Sequence, residues 1–536
     1  LKKTRMPHLL SFFVLAILLI SQITLGQDKV TSITKQGLRE HLQFLASDEL
    51  EGRRTTEHGF DVASQYLASK FEQYGLKSFN TTAANYFETF DVMKGEGDFE
   101  NTYFEIISDN QKAQFKANHG VLFFPRSTDS FDITAPIVFV GYGITAPEYN
   151  YDDYSGVDAS GKVVLMFNHE PQEKDSTSIF NGSKPTRYFN PMVKADIARQ
   201  HGAIGMLVVR DPNNGHPPIE VTMQRYTRYL TKPIIQLPKD EKPLPTFYLS
   251  DSTATELLKS EGISLSGYQA QLDKKLKGSP IELKGKKVTM HIAMKNVQKL
   301  PTRNIVGYVE GSDPNLKDEF IIIGAHYDHL GKDQAGIYHG ADDDASGTSG
   351  VLELARAFAQ TSEKPKRSII FILFAGEEEG ALGSLYYTDH PLIPLDKVNV
   401  MFQLDMIGRN GGVSYTELND SLLNQKRANT LMLYCAGDPK TLQETFDKEN
   451  KKIGLDLVYN NGPEMSGGSD HASFEAKKVP VTFFFTGFHR DYHETTDTVD
   501  KINFDKMEKI VRLAYLVAYD LANRPEKLKF QVVPTK

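Results

Sequence analysis

Cys435 is the only cysteine among the 536 residues. No internal disulfide can form, and no thiolate zinc cluster can be built. Any metal site must therefore draw on His, Asp and Glu. The chain also lacks a block of Lys and Arg, and it carries a net charge of −8 with a pI near 6.1. Nothing resembles a phosphate-binding stripe, so nucleic acid is not an expected partner. Long low-complexity tracts are missing too, and 40% hydrophobic with 24% charged residues is the makeup of an ordinary folded protein. At this length two or three domains are expected rather than one core.

Long apolar stretches are scarce as well. Lys2, Lys3 and Arg5 precede a mostly apolar run from Leu9 to Ile20, followed by Thr24-Leu25-Gly26 before Gln27. That order of basic, apolar and small residues predicts a secretory signal peptide over 1–26. The run is short for a membrane span, which needs ~20 residues. No cysteine follows to take a lipid. Export without disulfides fits a bacterial periplasm or exterior, so a secreted or periplasmic protein is expected, with no membrane contact after signal cleavage.

Residues 34–76 read as two helices, one with the stripe Leu38, Leu42, Leu45 and the other with Val62, Tyr66, Leu67, Phe71. The polar stretch Asp48 to Arg54 between them reads as a solvated turn. This N-terminal part is assigned to 27–120. From 121 to 295 the character changes to short β-rich runs (Ile137–Val140, Val163–Phe167, Gly205–Val209, Pro233–Leu237) between Pro/Gly/Asp/Asn-rich loops. A helix is predicted over Val193–His201. His169, His201 and His216 are scattered through this segment and suggest no catalytic cluster. The last part, 296–526 with a tail at 527–536, alternates buried strands and helices, an α/β pattern with a mixed, largely parallel central sheet.

Four strongly apolar runs in this last part each end in acidic or histidine residues. Phe320–Gly324 leads to His326-Tyr327-Asp328, and Ile369–Phe374 to Glu377-Glu378-Glu379. Val398–Leu404 ends in Asp405, and Val479–Phe485 leads to His489 and His493. Such runs read as strands buried on both faces, and open α/β sheets bind ligands beyond the strands' carboxyl ends. The acidic loop Gly340-Ala341-Asp342-Asp343-Asp344-Ala345-Ser346-Gly347 precedes a predicted helix, Ser346–Gln360. Crowded carboxylates need protons or cations to neutralise them. Two histidines among them, without a thiolate, suit zinc, and the number of candidates suits two ions sharing a carboxylate.

At these residues the chain resembles the di-zinc exopeptidase family of bacterial secreted aminopeptidases, glutamate carboxypeptidase and the glutaminyl cyclases. The motifs are Gly324-Ala325-His326-Tyr327-Asp328, the acidic loop, Glu377-Glu378 with Gly383-Ser384, Gln403-Leu404-Asp405-Met406, and Tyr492-His493 before Asp497-Thr498. The 121–295 segment more loosely resembles the protease-associated domain that the family often carries as an insertion.

The resemblance implies two Zn²⁺ ions bridged by Asp343, with His326 and Asp405 completing one set of ligands and Glu378 and His493 the other. Counting along the triplet leaves Asp342 as the competing bridge. Asp328 would hold the other nitrogen of His326, and Glu377 would be the general base. His471 is the candidate donor to the oxyanion, and His489 a residue that supports the site or faces substrate. Peptides are the implied substrates and an aminopeptidase the implied activity. Carboxypeptidase, glutaminyl cyclase and an inactive binding scaffold are the alternatives.

Overall fold

The computed structural model describes residues 30–79, 85–108, 111–222, 230, 232–412 and 425–531. The expected signal peptide lies outside these residues. Among them no helix is long and apolar enough to cross a membrane. The chain forms two compact units: Val92–Lys299 is one, and the residues up to Asp91 together with those from Leu300 onward form the other.

The second unit thus begins at Val92, not at residue 121. The strands Tyr103–Ser108 and Gln111–Lys116 pair with each other, and the former pairs with Ile281–Ile292. Only Phe104 and Ile106 among their residues are buried, so no apolar run marks them in the sequence. The unit's main sheet runs, by first residue, in the order 111, 103, 281, 131, 163, 205, 246, 121. Its middle strands, Phe131–Phe139, Val163–Phe167, Gly205–Val209 and Thr246–Leu249, are parallel neighbours.

In the other unit, helices α1 (Lys35–Leu45) and α2 (His58–Tyr74) form near the predicted places. The Thr34 hydroxyl accepts the Gly37 N–H to cap α1, and Leu38, Leu42 and Leu45 are its buried stripe. The buried face of α2 is Phe60, Ala63, Leu67 and Phe71; Val62 and Tyr66 are only partly covered. The stretch between the helices is not a solvated turn: Arg53 is 1% and Arg54 8% exposed.

Seven strands of a larger sheet matter for the site: β1 (Met294–Val309), β2 (Phe320–His326), β3 (Ser368–Phe374), β4 (Val398–Leu404), β5 (Thr430–Ala436), β6 (Asp456–Tyr459) and β7 (Val481–Phe485). They hydrogen-bond in the order β1-β3-β2-β4-β7-β5-β6. The central four, β3, β2, β4 and β7, are mutually parallel, with His326 opposite Phe374, Gly324 opposite Gln403 and Leu404 opposite Phe484. β1 and β5 run antiparallel to their central neighbours. These four strands are the four apolar runs, and burial of each Ile, Leu or Phe contributes about 1.5–3 kcal/mol. A common direction brings all four carboxyl ends to one edge.

Helix α3 (Ala345–Gln360) packs across β2 and β4. Gly347 permits that approach, since a Cβ there would lie 2.1 Å from the Leu404 carbonyl oxygen. A side chain at 347 would push the acidic loop away from Asp405.

Candidate metal and catalytic site

Each aspartate of the acidic loop has a different task. Asp344 caps α3: its Oδ1 accepts the N–H of Gly347 at 2.8 Å and of Met406 at 3.3 Å, and its Oδ2 that of His326 at 3.3 Å. Asp342 accepts the Gly408 N–H at 2.6 Å and meets His489 Nε2 at 3.3 Å. Asp343 faces the strand ends. Its Oδ1 lies 3.2 Å from His326 Nε2 and its Oδ2 3.1 Å from His493 Nε2. Asp343 is thus the aspartate that faces both His326 and His493, whereas Asp342 turns toward Gly408 and His489.

Around Asp343 the donors fall into two groups. In the first, His326 Nε2 is 3.6 Å from Asp405 Oδ1. In the second, Glu378 Oε2 is 3.2 Å from His493 Nε2. Tetrahedral zinc with bonds near 2.0–2.2 Å sets its ligand atoms roughly 3.3–3.6 Å apart, so these spacings fit. Both ring nitrogens of His326 and Oδ1 of Asp405 are buried without a hydrogen-bond partner. Of these, His326 Nε2 and Asp405 Oδ1 converge beside Asp343, and converging buried polar atoms without partners call for a cation.

The electrostatics say the same. Burial alone would raise Asp343, but the adjacent imidazoles of His326 and His493 hold it well below the usual carboxylate range. Glu378 is likewise pulled down to about 2, where the charges of His493 and His329 outweigh its burial and the repulsion of Asp343. His493 is pushed up to about 11, as Glu378 and Asp343 overcome its desolvation. The carboxylates thus favour positive charge at this point.

Glu377 behaves differently from its neighbour. Its Oε2 is 3.9 Å from His326 Nε2. Burial, with the charges of Glu378, Asp405 and Asp470, drives its pKa well above the ordinary value despite His326. A carboxylate so raised, at the edge of the donor groups, is suited to take and return a proton.

Several further residues support the site, most of them not legible in the sequence. His329 Nδ1 is 2.7 Å from Glu378 Oε1 and 3.8 Å from Asp343 Oδ2, and its Nε2 is buried without a partner. Its only signal is position, three residues past His326 at the same strand exit. Asp497 Oδ2 accepts the N–H groups of Asp342 at 2.9 Å and Asp343 at 3.3 Å, orienting the loop. Arg53 donates to four carbonyl oxygens, of Tyr327 (3.0 Å), Leu45 (2.5 Å), His339 (2.7 Å) and Gly340 (3.0 Å). It ties the exit of β2 to the entrance of the acidic loop. Arg54 Nε donates to Glu379 Oε1 at 3.0 Å.

Asp328 lies 3.7 Å from His326 Nδ1. One oxygen accepts the Glu377 N–H at 3.1 Å and the other the Thr55 hydroxyl at 3.1 Å. His489 is buried, with its Nε2 3.3 Å from Asp342 Oδ2.

His471 corrects the expectation made for it. It opens the helix His471–Ala476 with its ring stacked on Phe483, centroids 4.5 Å apart, and its Nε2 on the Met465 carbonyl at 2.8 Å. Burial pulls its pKa down to about 4, so it is a neutral core residue. The neighbouring Asp470 faces the site instead, hydrogen-bonded to Gln403 Nε2 at 3.3 Å and raised to about 7, chiefly by burial.

Residues 304–518 match the model of peptidase family M28. The glutamate carboxypeptidase 2 homolog of Caenorhabditis elegans is 27% identical over 435 residues, covering 71% of this chain and 51% of that protein. The aminopeptidase YwaD of Bacillus subtilis is 28% identical over 236 residues, 42% of this chain and 46% of that protein. The chain spans about half the length of these two curated relatives. The uncharacterised protein YfbL of Escherichia coli is 30% identical over 230 residues, 39% of this chain and 68% of that protein. Among solved structures, an aminopeptidase from Aneurinibacillus sp. strain AM-1 shares the fold, with a TM-score of 0.55 at 20% identity over 95% of this chain and 98% of that one.

Proposed function

The chain belongs to peptidase family M28, and on that premise we propose that it is a secreted, zinc-dependent exopeptidase that removes residues from the N-termini of peptides. One observation carries the reading: Asp343 presents one oxygen to His326 and the other to His493, with Glu377 beside them. The basic-apolar-small order of residues 1–26 supports export.

In this reading His326, Asp343 and Asp405 would hold one zinc ion, and Asp343, Glu378 and His493 a second. Zinc held there would supply Lewis acidity, lowering the pKa of water and polarising the scissile carbonyl. Glu377 accepts the proton of the attacking water and passes it to the leaving amine. Asp328 orients His326 and anchors the backbone of Glu377, and His329 orients Glu378.

A carboxypeptidase is the second reading. It is favoured by the match to the glutamate carboxypeptidase 2 homolog, which extends over 71% of this chain, well beyond the 304–518 segment. A mixed peptide pool read by mass spectrometry separates the two. Stepwise loss from free N-termini, abolished by a chelator and absent in Glu377→Ala, is the expected result. Trimming from C-termini would replace the aminopeptidase with the second reading, and loss of ammonia from N-terminal Gln would indicate a cyclase. No turnover by zinc-loaded protein would overturn the enzymatic reading itself.

A further inference from the structure

Histidines that are far apart in the sequence of the second unit meet in its fold. The neighbouring parallel strands Val163–Phe167 and Gly205–Val209 leave their sheet at the same edge. The first continues into Asn168-His169, the second into Arg210-Asp211. The chain then turns through Pro212–Asn214 and Gly215, whose φ of 69° is in the left-handed region, and brings back His216. The rings of His169 and His216 lie 3.9 Å apart between centroids. His169 Nδ1 meets Asp211 Oδ2 in a very short contact. His216 Nε2 is 2.7 and 3.0 Å from the two oxygens of Glu173, and Glu173 Oε2 is 3.9 Å from His169 Nδ1.

We propose that His169, Asp211, His216 and Glu173 form a divalent-metal site of the zinc class, built from none of the residues around Asp343. One ligand atom each from His169, Asp211 and His216 lies within 4.8 Å of the others, close enough for one ion to draw them together. Two imidazoles and two carboxylates without a thiolate match the borderline donor set of zinc. A divalent ion would balance the charge of the two carboxylates.

Asn168 adds an independent observation. Its amide lies 3.1 Å from His169 Nε2. With Nδ2 toward the ring, Asn168 Oδ1 is a buried acceptor lacking a partner. The two amide orientations are interchangeable in shape. Turned over, Oδ1 accepts the Nε2–H of His169, and Nδ1 is left as a bare lone pair facing Asp211. That is the carbonyl-to-imidazole support that metal-bound histidines commonly have. Lys194 donates to the carbonyl oxygens of Phe167, Asn168 and His169, fixing the loop that carries the first ligand. The Asp211 side chain is fully buried, whereas His216 and Glu173 side chains are 28% and 16% exposed. The site thus has a closed floor and an open rim through which an ion can enter.

The test uses the full chain, stripped with chelator, dialysed against buffered Zn²⁺ and analysed for bound zinc. Wild type is compared with His216→Gln, Glu173→Gln, Asn168→Ala and Asp343→Ala. The two rim variants should each lose about one zinc equivalent while peptide hydrolysis per chain is unchanged, and Asp343→Ala should keep that equivalent. Asn168→Ala should weaken this binding about tenfold without removing a ligand. Zinc content identical to wild type in both folded rim variants, checked by circular dichroism, would overturn the proposal and leave two separate His–carboxylate ion pairs. Should His216→Gln fail to fold, Glu173→Gln and Asn168→Ala decide it by the same readout.

Discussion

Glu377 donates its backbone N–H to Asp328 Oδ1 at 3.1 Å, so the residue that flanks the imidazole of His326 also anchors the proposed base. Replacing Asp328 acts on both at once. Asp328→Asn keeps the size but loses the charge that favours the correct state of His326. Metal affinity should fall about 10–100-fold. Turnover of zinc-saturated protein should fall as well, because the amide can present an N–H to the Glu377 backbone where an acceptor is needed. Zinc titration followed by kinetics at saturating zinc separates the two effects. Unchanged values in both would show that Asp328 is not needed to position either group.

Arg53 satisfies four carbonyl oxygens from three separate segments with one guanidinium, and burial lowers its pKa only to about 10, so it stays charged. Arg53→Met leaves those acceptors buried and unpaired, a loss of about 3–5 kcal/mol in stability. Arg53→Lys cannot reproduce the planar fork and should recover only part. Denaturant unfolding of the three proteins measures this. A loss below 1 kcal/mol in Arg53→Met would mean that water replaces the donor.

What was legible in the chain follows from periodicity. The strands β2, β3, β4 and β7 are unbroken apolar runs, and each carries an acidic or histidine residue at or beyond its carboxyl end, so the fold class could be read from them. Arg53 and Thr55 lie in a polar stretch indistinguishable from a solvated turn, because burial of a charged residue depends on distant carbonyls that no local pattern announces. His471 was placed by its neighbourhood, Ser469-Asp470-His471, but one step along a helix turns a side chain by about 100°. Asp470 therefore faces the cluster while His471 enters the core. The pairing of His169 with His216 needed the knowledge that their two strands are adjacent.

His329 supplies a prediction that separates the two proposed ion positions. It touches Glu378 and Asp343 but no residue placed only in the His326–Asp405 group. His329→Phe preserves the ring shape and removes its hydrogen bond to Glu378. Binding of the second zinc should weaken about tenfold or more, with the first little affected. Isothermal titration into chelator-treated protein resolves the steps. Equal weakening of both would mean that Asp343 transmits the change to each group.

Glu88 makes stability depend on pH in a direction opposite to most carboxylates. It is 9% exposed, accepts the Asn304 amide at 2.7 Å on one oxygen, and has no partner for the other. Burial raises its pKa to about 7. The folded chain then binds the proton more tightly than the unfolded chain does, so stability is greatest below about 4.5 and declines as pH rises to about 7. The full effect is at most about 3 kcal/mol. Glu88→Gln removes the titration and keeps an acceptor for Asn304. Relative to wild type it should raise the melting temperature at pH 8 and leave it nearly unchanged at pH 5. Equal shifts at both values would show that the carboxyl does not titrate in this window.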